Sequence, residues 1–152
     1  MGDPWHGPAP GSGRLSFAAL SDRLAEWPGH RLFTVMAYEA GSSRRLCSSR
    51  PDIWPPGGAK PLPQDSELYR IVVAGGLPRL VEGRAAIEAA FADHAQILAA
   101  GCCSAINMPV LWQGRTLGAL NLLHEAGHYA GLDFGRLAVL ADAAAPLLTM
   151  QA

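Results

Sequence analysis

The sequence SAINMPVLWQGRTLGALNLL, Ser104–Leu123, predicts a β-hairpin. Two apolar runs flank Gln113-Gly114, and glycine supplies the positive φ that a tight two-residue turn requires. Pro109 lies inside the first run, so its nitrogen must point away from the ladder or lie at a bulge. A two-residue turn would place one alternating set of side chains on a shared face. That set is Ser104, Ile106, Met108 and Val110 with Leu117, Ala119, Asn121 and Leu123.

The segments before this hairpin supply helices and a second hairpin. Ser16 suits the N-cap of a first helix, with Phe17, Leu20, Leu24 and Trp27 as its apolar stripe. Residues 32–38 and 44–50 predict a hairpin around Gly41-Ser42. Residues 64–76 predict a short helix, and residues 85–101 predict a second amphipathic helix.

After the second hairpin, Asp133 suits the N-cap of a final helix rich in leucine and alanine. The whole order is helix, hairpin, loop, short helices, hairpin, helix. It predicts an α+β fold with a mainly antiparallel sheet.

A proline- and glycine-rich loop, Pro51–Pro63, separates the first hairpin from the short helices. Proline in this density predicts irregular structure, and a loop of this length in a compact domain is often functional. Trp54 within it has two readings that stay open: a lid over a ligand, or an anchor for the loop.

Composition excludes several classes of function. The chain has 152 residues, 49% apolar and 16% charged, which suits one globular domain. A net charge of −1, with no basic run beyond Arg44-Arg45, argues against nucleic acid and anionic membranes as partners. Arg44, Arg45 and Arg50 are expected to lie on a solvated edge strand.

The termini and cysteines bear on location. Residues 1–14 predict a flexible tail without the features of a secretory signal, and no apolar run is long enough to span a membrane. Cys47, Cys102 and Cys103 show no C-x-x-C spacing, so a reducing cytoplasm is expected.

The run GCCSAINMPVLWQGRTLGALNLL, Gly101–Leu123, resembles the signature of GAF domains. It has a small-residue start, an apolar strand reaching Pro-Val, a glycine-containing turn and then Leu-Gly-x-Leu-x-Leu. Tyr129 and Asp133-Phe134, before a helix rich in leucine and alanine, extend the likeness. The resemblance runs from about Ser16 to Leu148, so residues 15–150 are expected to form a single, free-standing GAF domain.

This resemblance implies a GAF/PAS-like central antiparallel sheet of five or six strands. It places the N- and C-terminal helices on one face, with short helices and loops over a ligand pocket on the other. GAF domains bind small molecules and commonly dimerise through their terminal helices. The implied function is therefore sensory or regulatory, with a small-molecule ligand, a homodimer, and ligand-dependent ordering of the pocket loops.

The resemblance also implies where ligand contacts should lie. The sheet should give an apolar floor into which Asn121 or Ser104 reaches, and residues 93–103 with the proline-rich loop should give walls and roof. The predicted ligand-binding residues are Trp54, Tyr69, His94, Cys102, Ser104 and Asn121. Asn121 lies in an apolar strand and needs a hydrogen-bond partner, which is either structural or a ligand. No catalytic residue, metal or specific cofactor is predicted.

Two enzyme alternatives remain. One is a thiol-dependent enzyme of the free methionine-R-sulfoxide reductase type, using Cys102, Cys103 or Cys47. The tryptophan- and cysteine-bearing motifs of that family are missing.

His94 has the place of the histidine of bilin-binding GAF domains, but Asp93 and Ala95 flank it and no adjacent thiol is present for covalent attachment.

The other alternative is a zinc hydrolase, because His124–His128 reads HEAGH and matches H-E-x-x-H. Phe134 stands where an extended motif of this kind places its third ligand, and no histidine follows His128. A helix here would also destroy the hairpin and place Gly127 and Gly131 in a helix, at about 1 kcal/mol each. The motif is therefore interpreted as a loop without a metal role.

Overall fold

The chain is described here from a computed structural model that covers residues 15–150. The predicted flexible tail, residues 1–14, lies outside the described residues. The helices are α1 (Phe17–Glu26), α2 (Arg84–Ala90), α3 (His94–Ala99) and α4 (Phe134–Thr149), with a π-helical segment at Tyr69–Ala74. The strands are β1 (Leu32–Glu39), β2 (Ser42–Ser48), β3 (Ala59–Pro61), β4 (Arg79–Glu82), β5 (Ser104–Trp112) and β6 (Arg115–His124).

The strands form one six-stranded sheet in the order β3-β2-β1-β6-β5-β4. Every neighbouring pair is antiparallel. The predicted α+β class and the predicted five or six strands are therefore confirmed.

Helices α1 and α4 contribute to one apolar core with the sheet. The core draws Leu20 and Leu24 from α1 and Leu137 from α4 against β1, β5 and β6. Local capping fixes where both helices begin. The Ser16 hydroxyl accepts from the Ala19 amide at 3.0 Å, and the Asp133 carboxylate accepts from the Arg136 amide at 3.0 Å. Both predicted N-caps are confirmed.

The β5–β6 turn is as predicted, but the predicted shared face is wrong. Gln113 and Gly114 have φ values of 52° and 76°, as a two-residue turn of this hand requires. A bulge between Val110 and Leu111 then pairs Val110 with Gly118. A shift of one residue moves a whole strand face to the other side of the sheet. Asn121 consequently aligns with Asn107.

Three further expectations are corrected. The proline-rich loop contains the short strand β3, which proline tolerates because β3 is an edge strand and pairs only with β2. Strand β4 was not predicted at all. The single helix expected over residues 85–101 is two helices, because Phe91 has extended backbone angles, φ −124° and ψ 127°.

No helix within residues 15–150 has the length and apolar character that a bilayer crossing requires.

Candidate ligand-binding site

A cavity of about 1000 Å³ lies on the opposite face of the sheet from α1 and α4. Strand residues form its floor, residues 60–68 and helix α2 form walls, and Trp54 with residues 89–93 closes over it. Small-molecule sites in proteins commonly fall between about 300 and 1,000 Å³. The cavity is large enough for a metabolite of substantial size.

The floor consists of cross-strand rows, and the first row is apolar. It runs across β4, β5, β6 and β1 through Val81, Ala105, Leu123 and Leu32. These side chains belong to a buried cluster with Trp54, Ile87, Ile97 and Cys102. This cluster anchors α2 and α3 to the sheet at one end of the cavity.

The second row is polar, and its side chains form one hydrogen-bonded chain. Arg79 Nε donates to Asn107 Oδ1 at 3.0 Å. Asn107 Nδ2 donates to Asn121 Oδ1 at 2.8 Å, and Asn121 Nδ2 donates to Thr34 Oγ1 at 3.2 Å. The register places each pair directly opposite. The floor is therefore not uniformly apolar as expected: four strands place an ordered polar row across its middle.

Arg79 is a buried cation at the β4 end of this row. Only 6% of its side chain is exposed, and its Nη1 pairs with Glu67 Oε1 at 3.2 Å. Its guanidinium carbon lies 5.7 Å from the centre of the Phe91 ring. Burial lowers the pKa of Arg79, and the nearby Glu67 carboxylate opposes that shift.

The third row carries Arg45 on β2, paired with Met36 of β1. Arg45 Nη1 donates to the Pro55 carbonyl at 3.3 Å. The Nε atom is buried and has no hydrogen-bond partner within residues 15–150. Burial lowers the pKa of Arg45, and Asp93 opposes that shift. The expected solvated edge position is wrong for Arg45, since β3 pairs outside β2 and Arg45 lines the cavity.

Tyr38 is a further polar residue of the cavity wall. Burial raises its pKa well above the ordinary value, and the Arg79 charge offsets this only in part. The phenol therefore stays protonated at neutral pH and can donate a hydrogen bond.

Trp54 and Asp93 close the roof. Trp54 is 4% exposed, and its indole nitrogen donates to Asp93 Oδ2 at 2.8 Å. Trp54 comes from the proline-rich loop, whereas Asp93 lies between α2 and α3. One hydrogen bond thus joins two separate segments above the cavity.

The structure brings two of the six predicted ligand-binding residues to this cavity, Trp54 and Asn121. Ser104 does not line it. The register shift in β5–β6 places Ser104 on the opposite face of the sheet from Asn121, and its hydroxyl donates to Glu82 Oε1 at 2.8 Å. Cys102 does not line it, because its side chain is fully buried in the apolar cluster below α3.

His94 and Tyr69 also lie outside the cavity lining. The His94 ring forms a 2.8 Å hydrogen bond through Nδ1 with the Phe91 carbonyl, which holds it at the start of α3. Tyr69 begins the π-helical segment, where its amide donates to Ser66 Oγ at 3.1 Å. Neither residue lines this cavity, and their contact with a ligand stays a prediction.

Sequence reasoning missed the residues that give the cavity its polarity, namely Arg45, Arg79, Asn107 and Thr34. Asn107 carried the same signal as Asn121, a polar residue within an apolar strand. Arg79 alternates with Val81 in a short strand-like run, RLVE, which would have placed both on one face.

The cysteines lie away from the cavity lining. Burial raises the pKa of Cys47 and of Cys102, and the Arg31 charge opposes the shift at Cys102. The thiolate is the reactive form of cysteine. These positions therefore give the thiol-dependent alternative no support.

The HEAGH segment is not helical, as interpreted from the sequence. His124 ends β6, and a bend at Glu125 and turns as far as Gly131 follow. The rings of His124 and His128 stack with centroids 3.5 Å apart and planes 2° from parallel. His128 Nε2 hydrogen-bonds the Pro28 carbonyl at 2.8 Å, and Glu125 pairs with Arg31 at 2.7 Å. Residues 15–150 contain no group of three His, Cys, Asp or Glu side chains placed to hold a metal.

Comparison with known proteins gives matches of structure only. No protein-family model matches the sequence. No curated protein matches it either.

Similar solved structures include a GAF-domain/HD-domain protein from Geobacter sulfurreducens, at 12% identity and a TM-score of 0.69, covering 88% of this chain and 91% of that chain. The GAF domain of a phosphoenolpyruvate-protein phosphotransferase from Coxiella burnetii has 16% identity and a TM-score of 0.69, covering 88% and 80%. A type II free methionine-R-sulfoxide reductase from Thermoplasma acidophilum has 18% identity and a TM-score of 0.65, covering 87% and 88%. These likenesses span nearly the whole described chain.

Proposed function

We propose that this chain, which has the fold of GAF domains, binds a small organic molecule in the cavity between its sheet and α2–α3 and acts as a sensory or regulatory domain. The observation that carries the proposal is the polar row from Arg79 to Thr34 along the floor of a cavity of about 1000 Å³. Few, well-placed polar groups among apolar walls are what orients a small ligand.

The floor is suited to recognition because its side chains hold one another in place. Asn107 accepts from Arg79 and donates to Asn121, so neither amide is free to rotate without losing a bond. A preformed set of donors and acceptors reduces the ordering cost of binding. We place this role in the cytoplasm, where the free thiols of all three cysteines remain reduced.

Binding is proposed to act through the roof. Trp54 and Asp93 bring the proline-rich loop and the α2–α3 junction together over the cavity. A ligand that contacts both segments binds the closed roof more tightly than the open one, and so favours the closed roof. The closure of the roof would then affect a second copy of the chain, or another partner, through surfaces such as α4, where Val139 is 66% exposed.

The first test is a native mass spectrum of the purified chain, followed by a thermal-shift screen against metabolites. A retained organic mass, or a ligand that raises the melting temperature, supports the proposal. Ala89 lines the cavity and is exposed, so Ala89→Trp should fill part of the space and abolish the shift. Ala95→Trp is the matched control, since Ala95 is an exposed helical residue outside the lining.

The proposal fails if no ligand stabilises the chain and no organic mass is retained. It also fails if Ala89→Trp and Ala95→Trp leave a ligand-induced shift equally intact, because the ligand would then be bound elsewhere.

A further inference from the structure

The cavity contains a donor that no protein group satisfies. Arg45 Nε is buried and has no partner within residues 15–150. Buried polar atoms almost always have a hydrogen-bond partner, and a guanidinium can only donate. The group that satisfies this atom must therefore be an acceptor. Any oxygen lone pair can serve, and a carboxylate or phosphate oxygen makes the stronger, charge-assisted bond.

A second cation lies on the same floor. Arg79 is 6% exposed, and within residues 15–150 its charge is paired with Glu67, a side chain that is 56% exposed. A partly solvated carboxylate compensates a buried cation weakly. Arg45, Lys60 and Arg79 are the basic side chains that line the cavity, and Glu67, Glu82 and Asp93 are the acidic ones. The preference for an anion therefore rests on the unsatisfied donor at Arg45 and not on the summed charge of the lining.

The other acidic groups of the cavity are engaged by protein donors. Asp93 accepts from the indole nitrogen of Trp54. Glu82 accepts from Ser104 Oγ at 2.8 Å through one oxygen and from the Gly127 amide at 3.0 Å through the other. Neither carboxylate hydrogen-bonds Arg45, although the Asp93 charge acts on it.

We infer that the ligand is an organic anion, a carboxylate or a phosphate ester, whose anionic group binds Arg45. This inference rests on the proposed function of the cavity. Arg79 is not assigned to this anionic group, because its strand β4 lies four strand spacings, or about 19 Å, from β2. The organic part of the ligand lies toward the apolar row and Trp54.

Three probes of one ring system separate charge from shape: 1-naphthaleneacetate, 1-naphthyl phosphate and the neutral 1-naphthaleneacetamide. Isothermal titration should show at least one anion binding about tenfold or more tighter than the amide. Arg45→Gln should weaken anion binding by roughly 10- to 100-fold, the range for a hydrogen bond to a charged group. It should leave amide binding unchanged.

Arg44 offers a matched control one residue away. It pairs with Glu39 at 3.3 Å and lies outside the cavity lining. Arg44→Gln makes the same change in net charge and should leave all three affinities unchanged. Both arginines are only partly buried on β2, so both variants are expected to fold.

The outcomes separate the two proposals. Anions preferred over the amide, with the preference lost only in Arg45→Gln, support the inference, and the tighter of the two anions names the source. Equal binding of amide and anions overturns the inference but leaves the proposed function standing. Equal losses in Arg44→Gln and Arg45→Gln overturn the role of Arg45. If no probe binds, a retained neutral molecule in the native spectrum overturns the inference alone, and a retained anion supports it. No retained mass, together with no stabilising metabolite in the thermal-shift screen, overturns both proposals.

Discussion

Trp54 and Asp93 lie 39 residues apart in the chain and are joined by a 2.8 Å hydrogen bond from indole to carboxylate. The two readings of Trp54 from the sequence, lid and anchor, meet in this contact. Its ring lies in the apolar cluster with Ile87 and Ile97, and its nitrogen ties the proline-rich loop to the α2–α3 junction. The roof of the cavity is therefore held by both packing and a charge-assisted hydrogen bond.

Trp54→Phe should loosen this roof. Phenylalanine retains much of the apolar contact but cannot donate to Asp93, so the free energy of unfolding should fall by about 1–3 kcal/mol. Urea unfolding measures the loss, and limited proteolysis should show faster cleavage within residues 51–63. Trp112→Phe is the control, because Trp112 is 45% exposed at the β5–β6 turn. Equal cleavage rates in the two variants would show that the Trp54–Asp93 hydrogen bond does not hold the proline-rich loop in place.

The polar row should be most sensitive at Asn107, which is 4% exposed and bonded on both sides. Asn107→Leu leaves Arg79 Nε without its acceptor and Asn121 Oδ1 without its donor. At about 1–3 kcal/mol for each unsatisfied group, the free energy of unfolding should fall by roughly 2–6 kcal/mol. Asn107→Asp keeps the acceptor for Arg79 and should lose less. An aspartate variant as unstable as the leucine variant would argue against the Arg79 contact.

Gly118, which pairs with Val110 beside the β5–β6 bulge, allows β6 to approach β1 closely. A Cβ atom there would overlap the Met36 carbonyl oxygen and crowd a Leu148 methyl group. Gly118→Ala should therefore lower the free energy of unfolding by about 1–3 kcal/mol. Gly58→Ala is the control, because a Cβ at Gly58 meets nothing within 4 Å. Denaturant unfolding of both variants checks the difference, and equal stability would refute the close approach.

The features predicted from sequence are those set by neighbours in the chain. The Gln113-Gly114 turn and the caps at Ser16 and Asp133 depend on local backbone chemistry, and each is confirmed. The bulge after Val110 is not local, since it depends on how β6 packs between β5 and β1. The sequence analysis missed this register shift of one residue, and it therefore paired the wrong faces of β5 and β6.

The candidate site was less predictable for a related reason. Arg79 belongs to a four-residue strand, whose pattern is too short to have been recognised as one, and its neighbour Asn107 is 28 residues away. Arg45 was expected in solvent because its strand was taken as an edge, whereas β3 occupies that edge. Polar residues became a site only through cross-strand pairing, which composition and spacing do not encode.

The stacked histidines give a pH dependence that can be tested. Burial, followed by the adjacent His128 ring and Arg31, lowers the pKa of His124 below its ordinary value of 6.5. Burial lowers the pKa of His30 in the same direction. In the unfolded chain these groups take up protons near pH 6.5, whereas in the folded chain they do so only at lower pH. The unfolded state thus binds more protons in that interval, and stability rises with pH.

His124→Gln should therefore flatten part of the pH dependence of stability. In the parent chain, stability is complete above about pH 6.5 and falls as the pH drops through that value toward the folded-state pKa. Urea midpoints at about pH 7.5 and 5.5 should differ less in His124→Gln, and least when His30→Gln is added. An unchanged difference between the two midpoints in the double variant would show that neither partly buried imidazole resists protonation in the folded chain.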